Sequence, residues 1–323
     1  MNSETAILQL MQAKGLGTKT LHRVLRMLAQ EGRMLEEFIS SPVEELTERY
    51  GLKPEIAESI QTHREDTEQL AEELARHNIR ILIRGEEGYP ARLARILDDA
   101  APPVLFAEGN FGIFEQKSVG FCGPRKASDE ALCAVDICAR MLAENEIHVV
   151  GGYAPGVDLA AHHAAMDAGG NSTFVLAEGI LNFRKKGDIA LLIEENNHVI
   201  LSEFSPQAPW NIGYAMQRNR TICGMSDAII MVEPGLTGGT YAAGKAALEL
   251  RRPLFVLEYS ESLRCAEGTR YFLKRGAKPL PYDAQGKPHL DEVFHVLEEQ
   301  AVSNPENPTQ ECLFDLIDNR FQE

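Results

Sequence analysis

Three short stretches combine glycine, hydroxyl and charged residues at spacings that could hold a phosphate: "GPRKAS" at 123–128, "GGYAPGVD" at 151–158 and "EPGLTGGT" at 233–240. Glycine lets a backbone approach an anion closely, and a helix N-terminus offers unpaired amides and the positive end of its dipole. Fixed cations usually complete such a site. Arg125 and Lys126 lie in the first stretch, and Arg218-Asn219-Arg220 forms a second basic group. Each turn alone could equally be a tight corner between a strand and a helix. Three of them in one chain point to a phosphate-bearing ligand. The candidate contacts are Gly123, Arg125, Lys126, Ser128, Gly152, Gly156, Asp158, Arg218, Asn219, Arg220, Thr237, Gly238, Gly239 and Thr240.

Other chemistries find little support. None of the turns is a P-loop, and none carries the G-x-G-x-x-G fingerprint with an acidic residue about 20 positions on. There is no G-x-S-x-G nucleophile elbow. Asp158 and His162 are four apart and would share a helix face, but a helix N-cap and a packed histidine explain them without catalysis. His162-His163 has no carboxylate partner at metal-ligand spacing, and the six cysteines are scattered without a C-x-x-C pair, as suits reduced thiols. The expectation is a binding protein with no catalytic residue, no metal and no cofactor. The clusters at 184–186 and 274–275 are read as solvated charge.

The elements that would position these residues follow from hydrophobic periodicity. Residues 1–78 read as helices, with Leu21, Val24, Leu25 and Leu28 at helical spacing after the turn "GLGTKT". That Gly-x-Gly turn could present amides to a nucleic-acid phosphate, as helix-hairpin-helix modules do, or simply join two helices. A long charged helix is expected from about Glu55 to His77. Residues 79–110 form a joining segment of short strands and a helix. From 111 to 300, continuous apolar runs such as "SVGFC", "IHVVGG", "STFVLAEG", "HVILSEF", "AIIMVEP" and "PLFVLEY" alternate with helical patterns near 129–144, 158–168, 186–196, 215–226 and 239–250. Buried strands separated by helices predict an α/β fold: a doubly wound, mostly parallel Rossmann-like sheet with an N-terminal all-helical accessory domain. Its ligand would sit at the carboxyl ends of the strands. Residues 301–323 read as a linker and a short amphipathic tail.

The 323 residues carry 32 Lys plus Arg against 48 Asp plus Glu, a formal charge of −16. Any polyanion site must therefore be local. The start, "MNSETAIL", is acidic and has neither the basic nor the apolar region expected of a signal sequence, and no apolar run reaches the ~18 residues of a membrane span. The expectation is a cytoplasmic protein without a membrane partner.

The order of these motifs resembles the DNA-processing protein A (DprA or Smf) family. "GYPARLARILDDAAPPVLFAEGN" is similar to the family's lead-in segment, "GPRKAS" to its Gly-Ser-Arg turn, and "GGYAPGVDLAAHHAA" to its Gly-x-Ala-x-Gly-Ile-Asp stretch. "LSEF", "RNRTICGMSDAIIMVE" and "EGTRYFLKRGAKPL" resemble the family's segments in the same order. The resemblance implies a Rossmann-like core that binds single-stranded DNA, forms a homodimer and hands the strand to a RecA-type recombinase during uptake of foreign DNA. Carried over, Arg125, Arg218 and Arg220 would be the backbone-binding cations. The chain departs from the family pattern at Pro124, Gly151 and Pro155, where polar residues are expected, and no winged-helix pattern follows.

Two rival readings and one smaller one complete the set. Rossmann-like relatives of this kind include sensors of nucleotide-derived ligands. "EPGLTGGT" also resembles the loop of cytokinin-releasing phosphoribohydrolases, but the Glu expected three residues after Thr240 is Ala243. Gln310 to Phe314, "QECLF", partly resembles the peptide by which bacterial proteins dock on the sliding clamp.

Overall fold

The computed structural model describes residues 3–62, 64–185, 187–257, 266–282 and 287–302. The clamp-like segment Gln310–Phe314 lies outside them. Two compact units are present, one holding Met1–Glu87 and Pro102–Phe106, the other Gly88–Ala101 and Ala107–Asn307.

In the first unit, apolar residues at helical spacing give α1 (Ser3–Gln12), α2 (Thr18–Glu31), α3 (Leu35–Ile39), α4 (Val43–Glu48), α5 (Pro54–Thr62) and α6 (Arg64–Arg76). The expected long helix is thus described as two stretches. Gly15 turns the chain between α1 and α2 at φ +86°, where a side chain would be strained and would crowd Ile56. Tyr50 is fully buried edge-on against Phe38; its hydroxyl donates to Glu31 at 2.6 Å and accepts from Arg33 at 2.9 Å. The strand β1 (Arg80–Ile83) follows, and β2 (Val104–Gly109) begins in this unit.

The second unit is built on β3 (Ser118–Cys122), β4 (His148–Gly151), β5 (Ser172–Val175), β6 (His198–Ser202), β7 (Ala228–Met231), β8 (Leu254–Leu257) and β9 (Lys278–Leu280). They run side by side as β6-β5-β4-β3-β7-β8-β9, every pair parallel. The chain steps outward from β3 to β6, then returns past β3 to β7. That reversal between β3 and β7 is the topological switch point, where the loops leaving two neighbouring strands part and open a crevice.

Helices cover both faces: α7 (Ala91–Leu97), α8 (Asp129–Glu144), α9 (Val157–Asp167), the single turn α10 (Ile189–Leu192), α11 (Ile212–Met225), α12 (Gly238–Glu249), α13 (Ala266–Leu273) and α14 (Asp291–Val302). Val119, Phe121, Ile230 and Phe255 point to the face that packs on α8, α9 and α14. The alternate residues face α11 and α12; there Gly120 leaves room for Ile229 and Ser226, each 2.5 Å from where a Cβ would stand. Alternation on a sheet covered twice makes each strand apolar throughout, as the sequence predicts.

The helix expected over 186–196 is reduced to α10. The Asn197 side chain accepts the Glu194 N–H at 2.9 Å and donates to the Leu192 carbonyl at 2.8 Å, so it competes with the next helical turn.

Arg92 of α7 holds the amino ends of β3 and β7 together. Its Nε meets Asp227 Oδ1 at 3.0 Å, while its Nη atoms donate to Gln116 O at 2.9 Å, Ser118 Oγ at 3.1 Å and Met225 O at 3.2 Å. Asp227 Oδ2 in turn accepts the Ser118 N–H at 3.0 Å. Removing one partner of a mostly buried pair leaves the other uncompensated, so Arg92→Ala is expected to cost about 3–5 kcal/mol in urea unfolding. A change under about 1 kcal/mol would contradict this assignment.

Candidate anion-binding crevice

The turns after β3 and β7 flank the switch point and are tied across it. Ser128 Oγ caps α8 by accepting the Ala131 N–H at 3.1 Å, and it donates to Glu233 Oε1 at 2.6 Å. The Ser128 N–H reaches Glu233 Oε2 at 3.1 Å. Ser128, expected as a phosphate contact, is therefore occupied by a carboxylate of this chain, and it latches the first turn to the third.

The second turn packs beneath the first. Gly156 has φ +86°, and a Cβ there would lie 2.5 Å from Pro124 O and 2.7 Å from Arg125 O. Gly123 gives similar room to Val157. Gly156, not Asp158, is the N-cap of α9; Asp158 sits inside the first turn of the helix. Its Oδ2 accepts the Ala154 N–H at 3.3 Å and Arg218 Nη2 at 3.1 Å.

Arg218 was expected among the ligand-facing cations. It lies within α11 and is 8% exposed, with its guanidinium against Asp158. Gly152 makes this possible, since a Cβ at that position would fall 1.8 Å from Arg218 Nη2. The carboxylate that answers Arg218, and that satisfies an amide beside the α9 N-terminus, is thus internal. The other two residues of the basic group also have partners: Asn219 Nδ2 donates to Gly239 O at 3.2 Å, and Arg220 pairs with Glu249 at 3.0 Å.

His162 closes the floor of the turn. Its Nε2 is 2.9 Å from Gly152 O, and because a carbonyl can only accept, Nε2 carries the proton. Burial pushes its pKa down to about 3, with Arg218 adding to the effect, so the ring is neutral. Glu203 shares the neighbourhood, accepting Gln217 and Thr221 at 2.8 Å each, and burial raises its carboxyl pKa.

Arg125 and Lys126 remain open at the mouth. The Arg125 guanidinium stands 5.2 Å from the centre of the Trp210 ring, which is 47% exposed. Thr237 and the start of α12 are also exposed, and added side chains at Gly238 and Gly239 would meet open space. Trp210 was missed in the sequence, although it is the chain's single tryptophan and stands in a polar Pro/Gln/Asn segment rather than in an apolar run. Of the clusters read as solvated, Arg184 bonds the Leu181 and Phe183 carbonyls and Arg275 stacks on Tyr271. Among the described residues no helix is long and apolar enough to cross a membrane.

The chain matches the sequence model of the family described as DNA recombination-mediator protein A over residues 80–287. It is 31% identical over 195 residues to the DNA processing protein DprA of Streptococcus pneumoniae, covering 60% of this chain and 68% of that protein. Protein Smf of Escherichia coli is 28% identical over 206 residues, or 63% of this chain and 54% of the relative, so the match spans about half of that protein. The X-ray structure of the S. pneumoniae protein is similar with a TM-score of 0.70 at 24% identity, covering 86% of this chain and 95% of that one. DNA processing protein A of Helicobacter pylori, described with a single-stranded DNA binding mode, gives 0.54 at 23% identity, covering 70% of this chain and 96% of that one. At these identities the structural likeness establishes the fold.

Two outcomes follow from the buried floor. Gly152→Ala pushes the Arg218 guanidinium off Asp158 and is expected to cost about 3 kcal/mol, as is Asp158→Asn. Because both break the same pair, the double variant should cost clearly less than the sum; additive losses in chemical unfolding would sink this reading. His162 and the equally buried His148 both have pKa values near 3, pushed down first by burial. Below the ordinary value of about 6.5 the unfolded chain takes up protons that the folded chain refuses. The stability from the neutral rings is therefore complete above pH ~6.5 and lost as pH falls towards ~3. Melting temperatures across that window should fall less steeply for His162→Gln than for the unmodified protein.

Proposed function

On the premise that the chain belongs to the DNA recombination-mediator protein A family, we propose that it binds single-stranded DNA at the mouth of this crevice. The observation that carries the reading is the pair Arg125 and Trp210: an exposed cation set over an exposed aromatic face. Single-strand binding without sequence preference needs cations for the backbone and a π-surface for unstacked bases. Lys126 adds a second cation, and the open start of α12 adds backbone amides facing solvent. Arg218 and Asp158 serve as the support on which this mouth is built.

The reading requires no bond to be made or broken. Ala243, where the phosphoribohydrolase loop would need its Glu, is 3% exposed and supplies no carboxylate. Family membership further supports a cytoplasmic, self-associating protein that takes part in DNA uptake and passes its strand to a RecA-type recombinase.

An acidic protein with two mouth cations should bind with a shallow salt dependence. At about 0.7 per neutralised phosphate, the slope of log K against log salt is about −1.4. Fluorescence anisotropy with a labelled oligonucleotide tests this. Arg125→Ala should weaken binding several-fold and reduce the slope by about 0.7. Trp210→Ala should lose about 1–3 kcal/mol with the slope unchanged. No binding by the folded protein at low salt would overturn the proposal, as would full affinity in both variants.

A further inference from the structure

At the opposite end of the sheet lies a cavity of about 500 Å³, between the end of α12, the starts of β8 and β9, and the last turns of α14. Three cations line it, Arg251, Arg252 and Lys278, against the single carboxylate Glu299. Lys278 pairs with Glu292 at 2.7 Å, and Glu299 is met by His295 at 3.2 Å. Arg251 is exposed and has no ionic partner among the described residues.

Arg252 is the unusual member. Its Nη2 donates to Gln300 Oε1 at 3.1 Å, a neutral acceptor, and its Nε is buried with no acceptor at all. Gln300 is held in that orientation by its own Nε2, which donates to Asp227 O at 3.1 Å. The carboxylate that acts on it, Asp227, is already paired with Arg92. Burial lowers the pKa of Arg252; Asp227 opposes that shift, while Arg92 and Arg95 add like-charge repulsion. A half-buried guanidinium thus lines the cavity hydrogen-bonded only to a neutral amide, sharing the attraction of Asp227 with Arg92, in a protein whose net charge is −16. Buried charges are ordinarily paired, and an unpaired one favours any anion that can reach it. The walls beside it, Leu254 and Val296, are apolar, and a volume of this order suits a small organic molecule.

We propose that this cavity is a second ligand site, for a phosphomonoester of roughly mononucleotide size. Arg251 and Arg252 take the phosphate, and Leu254 and Val296 bed the body of the ligand. The site is separate from the crevice, so it stands whether or not the crevice binds DNA.

AMP is the probe, with adenosine and inorganic phosphate as comparisons, and calorimetry on the full chain at low salt is the measurement. AMP should bind more tightly than either comparison. Arg252→Gln should weaken AMP about tenfold or more, as one lost charge-assisted contact implies. Arg251 has φ +53°, a conformation that Asn tolerates. Arg251→Asn therefore removes the cation without strain, should weaken AMP similarly, and keeps the test decisive if Arg252→Gln fails to fold. Arg125→Ala should leave AMP affinity unchanged. No heat with millimolar AMP would overturn the proposal, as would adenosine binding as well as AMP. Affinity kept in Arg251→Asn but lost in Arg125→Ala would instead move the ligand to the crevice.

Discussion

The buried pair between Arg218 and Asp158 is the constraint on which the crevice depends. Each ion would be costly to desolvate alone, and each is acceptable only because the other stands 3.1 Å away. The pair dictates its surroundings. Position 152 must lack a side chain, because the guanidinium occupies that space. The neighbouring His162 must stay neutral, since a second positive charge beside Arg218 would be unopposed, and burial ensures that it does. Asp158 also accepts the amide of Ala154 beside the α9 N-terminus, so it ties the turn to Arg218.

The three glycine-rich turns therefore divide their work. In the second, Gly152 and Gly156 serve close packing, against Arg218 and against the carbonyls of the first turn. In the first, Ser128 joins the helix start to Glu233, which makes the two sides of the switch point one connected wall. The parts that stay exposed are Arg125, Lys126, Trp210 and the start of α12. An acidic body with a small cationic and aromatic mouth favours a local grip on a polyanion over general attraction.

A parallel sheet has chemically different ends, and here both are furnished. At the carboxyl ends the loops part and the mouth opens. At the amino ends Arg92, Asp227 and Arg252 crowd together, and one carboxylate serves more guanidinium groups than it can neutralise. Arg92 spends its donors on backbone carbonyls and on Asp227, which clamps β3 to β7 below the switch point. Arg252 is left with a neutral amide.

The sequence by itself determined the architecture. Continuous apolar runs such as Ala228–Met231, alternating with helical patterns, allow few arrangements other than a sheet covered on both faces, because each strand must bury both sides. Local signals also set the three turns at strand ends, and the order of motifs carried the family. Periodicity failed over 186–196, where one asparagine's hydrogen bonds outcompeted the helix. It could not rank the cations either. Arg125, Arg218 and Arg220 are equivalent as letters, yet one is open, one buried and one paired on the surface. Trp210 stands out as the single tryptophan, in a polar segment, but nothing local placed it beside Arg125. Charge, reach and exposure depend on which carboxylate the fold brings near, and Asp158 lies sixty positions from Arg218 in the chain. Only the tertiary structure could decide which cation was already answered from within.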